Sequence, residues 1–275
     1  MTDQDLMALY GLKYNPFLPG LPVHDLWRPP GLDSFLFRIR TLLRNGGFGL
    51  VTGESGLGKS KALHIIADWL NEYDDLAVAV MQRPQSTTGD FYRELGDAYG
   101  VDLSPANRYG GFKALRARFR QHIKTTLMRP VLLIDEAQEA CTTTLTELRL
   151  MCSAEFDSVQ LITVILCGDD RLPDRFRNRE LTPLGGRIRA RYVLRQFEQA
   201  DLAAFLDHVL DRAAGSHLMS QSLRETLVGH AGGNLRILTT MAAELLAHGA
   251  ENKLKTLDDD AFFDVFGGSV PRKKR

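Results

Sequence analysis

Apolar residues along the chain follow two rhythms, and the change comes near Phe197. Before that point, short unbroken apolar runs alternate with stretches in which apolar residues recur every three or four positions. The runs at 48–52, 77–81, 131–134 and 161–167 show no polar alternation, as expected of strands buried on both faces of a parallel sheet. Helical spacing fills the intervals at 59–70, 90–98, 112–127 and 144–153. The pattern predicts an α/β fold, a parallel sheet flanked by helices. After Phe197 the strand-like runs cease. Helices are expected at 201–213, 220–230, 235–248 and 258–266, with Gly232-Gly233 and Gly249 as breaks, so a small all-helical domain follows the sheet. The first 45 residues read as a loop-rich leader, punctuated by Asn15-Pro16-Phe17 and Pro29-Pro30, with one helix over 32–43. The expected divisions are therefore 1–45, 46–196, 197–267 and a basic tail, 268–275, too poor in apolar residues to fold.

Composition narrows the choices. A chain of 275 residues can bury one large core with a smaller satellite. Lys+Arg and Asp+Glu are 34 each, so a polyanion would have to be met by a local patch and not by the global field. Cys141, Cys152 and Cys167 are scattered and odd in number, a pattern of reduced cysteine, not of a disulfide framework or a zinc site. Residues 1–5 are polar and acidic, unlike a secretory leader, and the apolar runs are too short to cross a bilayer. A cytoplasmic protein with no membrane partner is expected.

The polar residues at the ends of the apolar runs carry the chemistry. Gly53-Glu54-Ser55-Gly56-Leu57-Gly58-Lys59-Ser60 links the first strand to a helix that continues through Lys61. Glycines at these spacings let the backbone curl so that its N–H groups converge on phosphates at a helix N-terminus. Lys59 would reach the β- and γ-phosphates of ATP, and the Ser60 hydroxyl would join a Mg²⁺ shell. The second landmark is Val131-Leu132-Leu133-Ile134-Asp135-Glu136, an apolar strand whose carboxyl end opens on two acids. Asp135 would hold the Mg²⁺ through water. Glu136 would orient and polarise the attacking water.

A phosphate-binding α/β core followed by a helical lid resembles the AAA+ ATPases. Leu161 to Leu172, with Gly168-Asp169-Asp170-Arg171, looks like the sensor-1 strand of that superfamily and puts Asp169 in the sensing position. Gly232-Gly233-Asn234-Leu235-Arg236 resembles the start of the sensor-2 helix, which would bring Arg236 to the nucleotide. Leu184-Gly185-Gly186-Arg187-Ile188 resembles the segment that presents an arginine finger to a neighbouring subunit, with Arg189 and Arg191 as competitors. Surface ion pairs are the alternative employment for Arg187 and Arg236. Tyr10-Gly11-Leu12 and Asn15-Pro16-Phe17 are similar to the opening of ExeA/GspA-like ATPases and of the transposon-encoded TniB, TnsC and MuB group. That resemblance implies that Asn15 and Phe17 pack near the adenine. A chain ending at the lid favours the transposon branch, whose members form rings or filaments on double-stranded DNA and engage a transposase. A secretion-assembly ATPase and a helicase-loader-like scaffold are the other two readings.

Charge distribution bears on DNA independently. From 103 to 134 the chain has no acid but seven basic residues: Arg108, Lys113, Arg116, Arg118, Arg120, Lys124 and Arg129. Lys113, Arg116, Arg120 and Lys124 fall on one helical stripe. An acid-free block in a neutral protein fits a phosphate-backbone footprint, although a solvated helix face would look the same. The resemblance adds two loops, and the residues expected to meet DNA are Arg83, Gln85, Thr87, Arg108, Tyr109 and Lys113. None suggests base readout.

Overall fold

The computed structural model describes residues 3–82, 87–155 and 158–267. In chain order the helices and strands are α1 (Asp3–Tyr10), α2 (Leu32–Asn45), β1 (Gly47–Thr52), α3 (Lys59–Asn71), β2 (Val78–Met81), α4 (Thr88–Tyr99), α5 (Arg108–Thr126) and β3 (Val131–Ile134). There follow α6 (Thr142–Cys152), a small hairpin of β4 (Ser153–Ala154) and β5 (Val159–Gln160), β6 (Thr163–Gly168), α7 (Arg171–Arg175), α8 (Thr182–Gly185) and β7 (Ile188–Val193). Four helices close the chain: α9 (Gln199–Arg212), α10 (Gln221–His230), α11 (Leu235–Glu251) and α12 (Asp259–Phe266). No helix among the described residues is long and apolar enough to cross a membrane.

Five strands pair in parallel in the order β2-β3-β6-β1-β7. The register sets Leu50 beside Leu166 and Leu166 beside Ile134. The carboxyl ends of β1, β6 and β3 therefore lie side by side, and the loops that carry phosphate-binding glycines, Asp169 and Asp135 leave the sheet next to one another. Every residue of β1, β3 and β6 is buried, which explains their unbroken apolar sequences. Helix α2 lies on this sheet: Phe35 stacks on Tyr192 of β7, and the Thr163 hydroxyl of β6 donates to the Leu42 carbonyl at 2.7 Å.

The chain divides into two compact units. One comprises 28–55 and 59–194, with a core that includes Phe48, Leu50, Tyr92, Phe119, Leu132 and Leu166. The other joins 1–27, 56–58 and 195–275, and its core draws Leu6, Tyr10 and Phe17 together with Leu206, Leu210, Leu238 and Leu245. The leader read as one segment thus splits at Trp27/Arg28. Trp27 stays with the helical unit, edge-on to Phe197 and Phe205, whereas α2 belongs to the sheet. The basic tail lies outside the described residues.

β7 is a strand that the apolar runs did not predict. Its sequence, Ile188-Arg189-Ala190-Arg191-Tyr192-Val193, alternates exposed and covered positions as an edge strand does, and it pairs with β1. The strand was hidden because two exposed arginines, Arg189 and Arg191, interrupt its apolar sequence.

Candidate functional site

The loop from β1 to α3 has the conformation its glycines permit. Gly56 and Gly58 both have φ of +87°, a region that side chains with a Cβ seldom enter. Gly53 passes so close to the Leu194 carbonyl oxygen that a Cβ would sit 2.5 Å from it. Lys59 is buried, and its ammonium donates to the Glu54 carbonyl at 2.9 Å, which holds the side chain back across the loop. Burial lowers the pKa of Lys61, one turn into the same helix.

Ser60, His64, Asp135, Glu136 and Glu139 line a cleft of about 730 Å³, together with Leu63, Ala67, Val80 and Gln82. The two landmarks, far apart in sequence, thus meet in one cleft. Asp135 is half-buried, its N–H donating to the Met81 carbonyl at 2.9 Å and its carboxylate accepting the Glu136 N–H at 2.9 Å. Beside it the Cys167 thiol is pushed well above its ordinary range, first by burial and then by the Asp135 carboxylate. Mg²⁺ keeps most of its shell as water and phosphate oxygen, needing one or two protein ligands. Ser60 and Asp135 meet that requirement. No group of three or more His, Cys, Asp or Glu suited to a metal occurs among the described residues, so a closed cage of side chains is not what this cleft offers.

Glu136 adopts a left-handed backbone, φ 49° and ψ 38°, and precedes the short 3-10 helix Ala137–Glu139. Its carboxylate accepts a hydrogen bond from the Gln138 carboxamide. Gln138 was not singled out by the sequence. Its only sequence signal is a polar residue two positions past the acids.

Asp169 is the first residue past β6. Its carboxylate accepts the Arg171 main-chain N–H at 3.0 Å and the Arg171 guanidinium at 2.8 Å, and Arg171 also pairs with Glu139 at 2.7 Å. Arg187 sits half-buried before β7 and donates to the Pro183 carbonyl. Arg189 and Arg191 are exposed on β7. In the helical unit Arg236 opens α11 and is exposed; its N–H donates to the Gly56 carbonyl at 3.1 Å and to the Asn234 cap at 3.0 Å. Phe17 is buried in that unit's own core, and Asn15 accepts the Phe17 N–H at 3.1 Å.

A second polar region lies along α5. Arg108, Tyr109, Phe112, Lys113, Arg116 and Arg120 line a groove of about 500 Å³ with Ala154 and Glu155, so four cations face one acid. Tyr109 is 82% exposed. Arg116 donates to the Leu150 carbonyl at 2.7 Å, and its buried Nε has no hydrogen-bond partner among the described residues. Arg108 has a further commitment: its guanidinium pairs with Glu147 of α6, a buried carboxylate that also accepts the Tyr92 hydroxyl at 2.8 Å. Burial, reinforced by Glu147, pushes the Tyr92 pKa up to about 12. Thr87 is the N-cap of α4; its hydroxyl accepts the Asp90 N–H at 3.2 Å and donates to the Asp90 carboxylate at 2.8 Å. Arg83 and Gln85 lie outside the described residues.

Residues 41–176 match the family model described as AAA domain. General secretion pathway protein A of Aeromonas hydrophila is 29% identical over 230 residues, covering 81% of this chain and 41% of that protein. The chain thus spans about two-fifths of that curated relative. Among solved structures, the ORC2 protein of Aeropyrum pernix has a TM-score of 0.69 at 13% identity, covering 95% of this chain and 73% of that one. The Aeropyrum pernix ORC1 protein in complex with DNA has a TM-score of 0.63 at 13% identity, with 92% and 68% covered. At such identity the structural likeness speaks for the fold. The matched domain covers just under half of this chain and falls almost wholly within the sheet unit.

Proposed function

We propose that the protein is a Mg²⁺-dependent ATPase that assembles on double-stranded DNA and governs the docking of a transposase. The observation that carries the ATPase reading is the meeting of Lys59 and Ser60, past β1, with Asp135 and Glu136, past β3, at the carboxyl ends of two strands that flank β6. Lys59 trades the Glu54 carbonyl for β- and γ-phosphate oxygens, while N–H groups of the glycine loop take the remaining charge. Ser60 and Asp135 would hold Mg²⁺, whose chemistry is to offset charge developing on the transferred phosphoryl group. Glu136 accepts a hydrogen bond from water and aligns it with the γ-phosphorus. Arg187, with Arg189 and Arg191 as competitors, supplies a cation to a neighbouring protomer's nucleotide, which makes hydrolysis depend on assembly. Asp169 and Arg236 serve as sensors.

The DNA reading rests on the α5 groove, whose four cations include an arginine with an unpartnered buried Nε. Such a surface suits phosphates and discriminates poorly between bases. DNA-bound relatives of similar fold support it. ATP and DNA then strengthen each other's binding by linkage.

The test is Glu136→Gln. It keeps ATP affinity and ATP-dependent retention of random duplex DNA, loses turnover, and traps the assembled state. Hydrolysis at the wild-type rate would remove Glu136 from the reaction. The likeness to general secretion pathway protein A favours a second reading, in which the same ATPase works on an envelope partner. An electrophoretic shift with and without ATP separates the two, since that reading requires no ATP-dependent DNA complex.

A further inference from the structure

Gln138 is bonded at both ends of its carboxamide, and both partners belong to the reaction machinery. Its NH₂ donates to the Glu136 carboxylate, and its oxygen accepts the Asp169 main-chain N–H at 3.1 Å. The main-chain carbonyl of Gln138 also accepts from the Arg175 guanidinium at 2.5 Å. The residue is only 8% exposed. An ionised carboxylate can only accept and a peptide N–H can only donate, so position 138 needs one donor and one acceptor on a short planar fork. Glutamine supplies both; leucine supplies neither, and glutamate lacks the donor. The space is also matched. A Cβ on Gly168 would lie 2.5 Å from the Gln138 amide oxygen, so glycine there lets the side chain reach the end of β6.

Glu136 needs such a hold. Its left-handed backbone is disfavoured for a residue with a Cβ, and its side chain makes no cap bond to the turn that follows. Gln138 occupies one carboxylate oxygen and leaves the other for water. Because its far end rests on the first residue past β6, a shift in the Asp169 loop is delivered to the carboxylate.

We infer that Gln138 is a positioning residue, which orients Glu136 toward the attacking water and ties that orientation to the end of the sensor strand. The inference rests on the ATPase reading. Gln138 acts through Glu136 and does not touch the nucleotide.

The test compares wild type, Gln138→Leu and Gln138→Glu, with Glu136→Gln as the reference for lost turnover. Steady-state ATP hydrolysis with Mg²⁺ gives kcat and KM, and fluorescent-nucleotide titration gives affinity. Gln138→Leu is expected to lower kcat about 10- to 100-fold and change KM and nucleotide affinity by less than about twofold. Gln138→Glu keeps an acceptor for Asp169 but loses the donor to Glu136, so its kcat falls at least as far at unchanged affinity. A general defect in folding would lower nucleotide affinity in step with kcat. A kcat for either variant within twofold of wild type, or an affinity that falls in step with kcat, overturns the inference. Wild-type turnover no faster than that of Glu136→Gln overturns the ATPase reading itself, and this inference with it.

Discussion

The nucleotide cleft and the α5 groove belong to the same compact unit, yet they are built in opposite ways. In the cleft three polar groups have a neighbour that fixes them: Lys59 rests on the Glu54 carbonyl, the Asp135 carboxylate accepts the Glu136 N–H, and Gln138 holds the Glu136 carboxylate. These groups follow β1 and β3, parallel strands on either side of β6, whose register is locked by fully buried residues. In the groove Lys113 and Arg120 are exposed on one helix, and only Arg108 and Arg116 are anchored to α6 or the residues around it. Phosphoryl transfer depends on placing atoms to within a fraction of an ångström. A polyanion's backbone asks only for cations at roughly the right height. The contrast is between a site that tolerates almost no substitution and one that should degrade in small steps.

The sharpest break is Glu136→Gln. Loss of a positioned general base should lower kcat by about 10²- to 10⁴-fold while nucleotide affinity stays within a few-fold, as measured by steady-state hydrolysis and titration. A loss shared between kcat and affinity would mean that the cleft is no more exacting than the groove.

Next in size is Glu147, the buried carboxylate between Arg108 and Tyr92. Glu147→Leu leaves the Tyr92 hydroxyl without its acceptor and frees Arg108, and should cost about 1–3 kcal/mol in urea unfolding. It should also leave DNA affinity equal or improved, because the guanidinium no longer shares its charge. A drop in DNA affinity at unchanged stability would instead mean that the pair holds α5 in its binding pose.

How much of each region could be read in advance follows from the same contrast. β3 and its two acids were legible because a strand buried on both faces is written as an unbroken apolar run, and its polar end stands out. The glycine loop was legible because φ near +87° at Gly56 and Gly58 demands glycine. The cationic stripe of α5 was legible because helical period alone puts Lys113, Arg116 and Arg120 together. β7 was missed, since an edge strand with Arg189 and Arg191 outward carries a weak apolar signal. Gln138 was missed for a different reason: its partner Asp169 comes from β6, which only the sheet order brings beside β3. The Arg108–Glu147 pair was hidden similarly, being set by how α5 packs on α6.

The groove itself calls for milder changes. Lys113→Ala and Arg120→Ala together should weaken binding to random duplex about tenfold and flatten the salt dependence by about one to two units of log–log slope. Their stability should move by less than about 0.5 kcal/mol, since both side chains are exposed. An unchanged salt slope would take DNA away from α5.

The smallest effect comes from a residue with two competing roles. Thr87 was expected at the DNA, but its hydroxyl is engaged at the start of α4, accepting the Asp90 N–H and donating to the Asp90 carboxylate. Thr87→Ala removes that cap and should cost about 1 kcal/mol of stability. Thr87→Ser keeps the hydroxyl and should cost a few tenths at most. If capping is its whole role, DNA affinity of Thr87→Ala stays within twofold of wild type at every salt concentration. An affinity loss in Thr87→Ala that Thr87→Ser restores, at a salt concentration where both variants are fully folded, would place the hydroxyl on a phosphate and extend the binding surface beyond α5. A neutral hydroxyl releases no counterion, so even then the salt slope would not change. That separates a positioning contact at the loop from the charge-driven contacts of the groove.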